Sequence, residues 1–155
     1  MANGISVSIG QHSFVLAKDY ITDCMWGGYG VDVLTSDAVG QGEINTATIV
    51  NTIGDSDSSE YAAKAVKNYT FPNGKVGFLP SKGELEIIID NIYRIRSACA
   101  LLGLDLFSGD AKYILSSTQA TSKSVYCMQS HINTQDKIIT VSKSSKHLVI
   151  PIYYI

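Results

Sequence analysis

The sequence predicts one α+β domain spanning residues 1–155, with helices grouped in the middle of the chain and antiparallel strands at both ends. Three observations carry that prediction. Leu85, Ile88, Ile89, Ile92, Ile95 and Cys99 recur at helical spacing and form one wide apolar face. Residues 4–9 (Ile-Ser-Val-Ser-Ile-Gly) alternate apolar and polar, the period of a half-buried strand. Beyond Gly109 the texture turns to short Ile-, Val-, Tyr- and Thr-rich runs separated by polar turns, with no strand–helix–strand alternation.

In chain order, residues 13–17 supply a second strand after the turn Gly10-Gln11-His12. The glycine-rich stretch 18–44 reads as a long loop, anchored to the core by the single Trp, Trp26. A helix is expected from Asn45-Thr46, with Ile49, Val50 and Ile53 inward and Gly54 as its stop. Ser58 or Ser59 would cap a second helix reaching Tyr69, and Asp55, Asp57 and Glu60 read as acids at its start. A strand over 75–79 ends at Pro80. There Ser81-x-x-Glu84 has the spacing of a capping box, opening one long helix from about Lys82 to Leu102 that stops near Gly103. Strands are expected at 113–117, 124–130, 137–142 and 147–154, with turns at Ser122-Lys123, at 133–136 and from Ser142 to Lys146. Pairing of the first and last strands would close the domain.

Composition narrows the function classes. Hydrophobic residues make up 45% and charged residues only 17% of the chain, with a mean hydropathy of +0.11. A net charge of −2 without a basic run gives no attraction to nucleic acid or to anionic lipid. No window is long and apolar enough for membrane insertion. Met1-Ala-Asn-Gly4 has no basic or apolar signal region, so the expectation is a mature or trimmed domain, or export within a virus particle. The three cysteines, Cys24, Cys99 and Cys127, lack the spacing of a zinc site, and buried free thiols are expected. His12, His131 and His147 show no nucleophile motif beside them, and no Gly-x-Ser-x-Gly elbow occurs. The hydroxyl cluster Ser116-Ser117-Thr118 is expected to satisfy backbone groups of a neighbouring loop. The glycines at 27, 28, 30, 40 and 42 fit neither a dinucleotide fingerprint nor a Walker loop. Neither an EF-hand pattern nor any other metal or cofactor motif is present, so none is expected.

The order of several short motifs is more specific than any one alone. Gly42-x-x-Asn45-Thr46-x-x-Ile49, Tyr61-Ala62-Ala63, Gly77-Phe-Leu-Pro-Ser-x-x-Glu-Leu85, Tyr113-Ile-Leu-Ser-Ser-Thr118 and Val149-Ile-Pro-Ile-Tyr153 follow one another. This succession resembles the Lcl C-terminal domain family of bacterial adhesins and phage tail fibres, within the C-type-lectin-like superfamily. The resemblance runs from about residue 4 to the end. Phe78, Ile114-Leu115 and Ile150 depart from the aromatic, Trp and Arg that the family often carries at those places, so no binding residue is carried over from it. The resemblance implies a C-type-lectin-like fold in which a small antiparallel sheet, closed by the N- and C-terminal strands, is flanked by two main helices. The lectin triplets Glu-Pro-Asn and Trp-Asn-Asp are absent, which argues against calcium-dependent sugar binding. Cys127 lacks the partner cysteine of formylglycine-making relatives.

A non-catalytic receptor- or glycan-binding module is therefore expected, on a tail fibre (virion) or at a cell surface, with adhesion as its role. A homotrimer or larger assembly fits the low charge. Candidate contact residues are the polar groups of the C-terminal β region: Gln119, Thr121, Lys123, Tyr126, His131, Asn133, Gln135, Lys143, Lys146 and His147. The alternatives are a purely structural building block of a virion or fimbria, and an enzyme on a lectin-like fold.

Overall fold

The computed structural model describes residues 3–9, 11–55, 60–130 and 137–155. Strands β1 (Ile5–Ile9) and β2 (His12–Leu16) form the expected hairpin. Ile5 and Val7 are buried while Ser6 and Ser8 are exposed, as the period-2 pattern requires. Strand β8 (Ile152–Tyr154) pairs with β2, Phe14 opposite Tyr154 and Leu16 opposite Ile152. The first and last strands do not pair with each other as expected: β2 stands between them, and the two chain ends share one three-stranded sheet, ordered β1-β2-β8.

The expectation of a single antiparallel sheet needs correction. A second sheet has five strands: β3 (Ile21–Met25), β4 (Tyr113–Thr121), β5 (Ser124–Gln129), β6 (Ile138–Ser142) and β7 (Lys146–Val149), in the order β3-β7-β4-β5-β6. Its β4–β7 pair is parallel. The run 147–154 is split because Pro151 has no N–H to continue a ladder. Chain direction changes there, and β8 leaves β7's sheet to join the other. The stretch 18–44 is also not all loop: β3 pairs with β7 across a bulge between Ile21 and Cys24.

The middle of the chain is helical. Helix α1 (Gly42–Ile53) begins three residues earlier than Asn45, and Gly54 closes it at φ 58°. Helix α2 (Ala62–Asn68) has Tyr61 at its N-cap position and no side-chain cap; Asp57, Ser58 and Ser59 lie outside the described residues. Asp55 instead pairs with Lys64 at 2.9 Å, and Glu60 accepts from Asn68. Segment 75–79 makes only isolated bridges, Thr70 to Val76 and Phe78 to Ile152, before Pro80 and Ser81 turn the chain into a helix.

The capping box is formed as predicted. Ser81 Oγ accepts from the Glu84 N–H, and Glu84 Oε1 accepts from the Ser81 N–H at 2.9 Å. The long helix is nevertheless two helices, α3 (Lys82–Asp90) and α4 (Ile92–Leu102). Asn91 breaks it at φ −116°, ψ 18°, and its side-chain amide donates to the Ile87 carbonyl at 2.8 Å. Four helices among the described residues therefore replace the three read along the chain and the two main helices that the resemblance implies. Gly103 ends α4 in the left-handed region at φ 68°.

Alternate residues of β4 and β5 face opposite layers. Ile114 and Met128 pack with Leu85, Ile88, Ile92 and Ile95 of α3 and α4 and with Phe14 and Leu16 of the small sheet. Leu115, Val125 and Val149 pack on the other side, with Ile49, Tyr61 and Val66 of the α1–α2 layer and Trp26. Each such fully buried side chain is worth about 1.5–3 kcal/mol relative to exposure. The core thus sandwiches the five-stranded sheet. The fold is mixed α+β.

Candidate functional site

The motif residues converge on a buried polar network, not on an open pocket. Asn45 Nδ2 donates to the Ser36 carbonyl at 2.7 Å and its Oδ1 accepts from the Ser36 N–H at 2.9 Å. The Thr46 hydroxyl accepts from the Leu79 N–H at 2.9 Å. Ser81 Oγ donates to the Ala38 carbonyl, and Glu84 Oε2 accepts from the Gly40 N–H at 2.7 Å and from the Tyr154 hydroxyl at 2.6 Å. Thr118 Oγ1 donates to the Ser36 carbonyl and accepts from the Lys82 N–H. Ser117 Oγ accepts from Asn45, while Ser116 Oγ caps the Thr118 N–H. The hydroxyl cluster therefore does satisfy backbone groups, and Asn45, Ser81, Glu84 and Thr118 together pin Ser36, Ala38 and Gly40 of segment 26–41, which has little regular structure of its own.

Lys143 must be corrected as a surface contact. It is fully buried. Its ammonium donates to the Val31 carbonyl at 2.8 Å and to Gln119 Oε1 at 2.7 Å, and sits 4.6 Å from the centroid of the Trp26 ring. Burial pushes its pKa below the usual lysine range. Gln119 is committed to the same anchor, its Oε1 also accepting from the Val33 N–H. These two residues hold the loop from below.

The remaining candidates do not gather in one place. Thr121 and Lys123 flank the β4–β5 turn, where the Lys123 ammonium reaches over Tyr29. Tyr126 is half-buried on β5 beneath the Lys82 ammonium, 4.6 Å from its ring centroid. His131, Asn133 and Gln135 lie outside the described residues, as does the turn expected at 133–136. Lys146 opens strand β7 instead of ending a turn, and His147 follows it within that strand.

It is around these last two that a surface cleft forms. Its volume is about 220 Å³, and Asp23, Lys112, Tyr113, Lys146, His147 and Leu148 line it. Three adjacent strands fix its walls: β3 supplies Asp23, β4 supplies Tyr113, and β7 supplies the last three. Lys112 is tethered to β5's end by its backbone, which donates to Ser130 Oγ and accepts from the Ser130 N–H. The rings of Tyr113 and His147 lie 6.0 Å apart at 53°, and Tyr113 is 38% exposed, so part of its face is open to a ligand. His147 Nε2 is 2.8 Å from Ser145 Oγ, and burial draws its pKa below the usual histidine range. Asp23 sits at φ 56° beside the bulge, an unusual backbone conformation for a residue other than glycine. Among the described residues neither the Lys112 and Lys146 ammonium groups nor the Asp23 carboxylate takes part in an ion pair. An aromatic surface with both acceptors and donors around it can hold a polar ligand by stacking and by hydrogen bonds.

The cysteine thiols are poorly placed to act as nucleophiles. Burial pushes the Cys24 thiol up to about 11 and the Cys127 thiol up to about 12, and raises Cys99 as well. All three are buried and stay protonated at neutral pH. Among the described residues no group of three His, Cys, Asp or Glu side chains is placed to hold a metal ion, and no helix is long and apolar enough to cross a membrane.

No protein-family model matches the chain, and no curated protein matches it either.

Sequence reasoning missed Asp23, Lys112 and Tyr113. Tyr113 was visible as the first residue of the motif ending in Thr118. Asp23 was hidden because Ile21-Thr-Asp-Cys-Met25, a β-branched start to a strand, adjoins the glycines that mark a loop.

Proposed function

We propose that this chain is a non-catalytic binding module of the C-type-lectin-like kind, serving receptor recognition or adhesion on a phage tail fibre or bacterial surface protein. One observation carries the proposal: the cleft beside Tyr113 joins an exposed aromatic face to Asp23, Lys112, Lys146 and His147 on a scaffold of three paired strands. Sugars present apolar C–H faces and rings of hydroxyls, and both halves of that chemistry find a counterpart here. A protein loop with a polar tip would use the same groups. The buried network supports the reading indirectly, because it assigns the motif residues to holding the scaffold and leaves recognition to the rim.

The test is a printed glycan array, read with and without EDTA, alongside binding to intact bacterial cells. Retained binding in EDTA is the expected result. Loss of all binding in EDTA would overturn the metal-free version, and absence of binding to every glycan and to every cell type tested would overturn the proposal.

A further inference from the structure

A second surface lies away from the Tyr113 cleft. Strand β1 is an edge: it pairs with β2 on one side, and among the described residues no strand pairs with it on the other. In an antiparallel pair every second residue turns its N–H and C=O away from the partner, so β1 offers a row of free donors and acceptors. Such edges are commonly protected by a charge, a proline or a bulge within the strand, and Ile5-Ser-Val-Ser-Ile9 contains none of these. A groove of about 220 Å³ runs beside it, with residues 5–8 as one wall and Asn91, Arg94, Ile95 and Ala98 of the α3–α4 region as the other. Arg94 is the groove's one charged residue, and among the described residues it joins no ion pair.

We propose that β1 accepts an extended segment of a partner protein as an additional strand, with an acidic side chain of that segment held by Arg94. The strand ladder supplies affinity, the exposed Ser6 and Ser8 and the half-buried Ala98 border the guest, and the guanidinium selects a carboxylate. Charge decides between occupants. A groove whose only charge is a cation is complementary to an acidic guest, whereas a second β1, which carries no carboxylate, leaves Arg94 unmatched.

The probe is a fluorescein-labelled nine-residue peptide of alternating Val and Thr with a central Asp, compared with its central-Asn counterpart and with a version N-methylated at alternate amides. Fluorescence anisotropy gives affinity, and amide chemical shifts give the place. The expected result is saturable binding that shifts the Ser6 and Ser8 amides. It should weaken about tenfold for the Asn peptide and for Arg94→Gln, and vanish on N-methylation of the edge-facing amides. Arg96→Gln is the control, because Arg96 lies on the same helix but lines a different depression. No binding at millimolar peptide, equal affinity for Asp and Asn peptides, or equal effects of the two arginine variants would overturn the proposal. So would concentration-dependent self-association through β1, which would make a second copy the occupant.

Discussion

Glu84 offers the sharpest test of how segment 26–41 is held. Its carboxylate is fully buried and accepts hydrogen bonds from the Ser81 N–H at 2.9 Å, the Gly40 N–H at 2.7 Å and the Tyr154 hydroxyl at 2.6 Å. Burial, and then the neighbouring Glu84 carboxylate, hold the Tyr154 hydroxyl well above the usual tyrosine range, so it remains a donor. Glu84→Ala strands both backbone donors, each costing about 1–3 kcal/mol when unpaired, and leaves a cavity as well. The sum is about 4 kcal/mol, a large part of the 5–15 kcal/mol that typical domains possess. Glu84→Gln keeps the shape but turns one NH₂ group toward a donor, for about 2 kcal/mol. Tyr154→Phe removes a donor and leaves Glu84 its two backbone partners, for about 1 kcal/mol. Urea unfolding followed by far-UV circular dichroism and by Trp26 fluorescence measures all three. The expected order of destabilisation is Glu84→Ala, then Glu84→Gln, then Tyr154→Phe. A cost below about 1 kcal/mol for Glu84→Ala would refute it.

Other perturbations follow from the same contacts. Gly42→Ala should destabilise the protein although alanine is the better helix former by about 1 kcal/mol. A Cβ there would collide with Glu84 Oε1 and lie 2.8 Å from the Leu79 carbonyl oxygen, so a lowered Tm is expected, and a raised one would contradict the packing. Lys143→Ala leaves the Val31 carbonyl without its partner and uncovers Trp26; a loss of about 2 kcal/mol and a red-shifted Trp emission are expected. An unchanged spectrum would count against the anchor. His147 has a folded-state pKa below its unfolded value, so the unfolded chain binds the proton first as pH falls. Its contribution to stability is present above pH of about 6.5 and is lost below it. The drop in Tm between pH 7.5 and pH 5.5 should be smaller in His147→Gln than in the natural chain, and an equal drop would exclude this source.

Periodicity made the core legible. Leu85, Ile88, Ile89, Ile92, Ile95 and Cys99 are all buried as their spacing requires. That spacing could not reveal the break at Asn91, because the apolar stripe continues across it unchanged. Ser81 and Glu84 announced their capping box, since both halves of it lie within four residues. What the pair also does, holding Ala38 and Gly40 from across the fold, depends on contacts more than 40 residues apart in sequence and leaves no local trace. Lys143 was misplaced for a related reason. A lysine among serines in a turn reads as solvated, and only its meeting with Trp26, Val31 and Gln119 shows why it is buried. The Tyr113 cleft draws on three strands that sequence order separates by almost the whole chain, so only two of its residues, Lys146 and His147, were in view.

The most direct test compares the natural chain with Tyr113→Ala and Lys146→Ala by isothermal titration against the strongest binder from the glycan array. Each variant should bind with a Kd at least about tenfold weaker, the loss of one stacking or charged contact, at an unchanged Tm. Unaltered affinity in both variants would contradict this expectation and move recognition to another face of the domain.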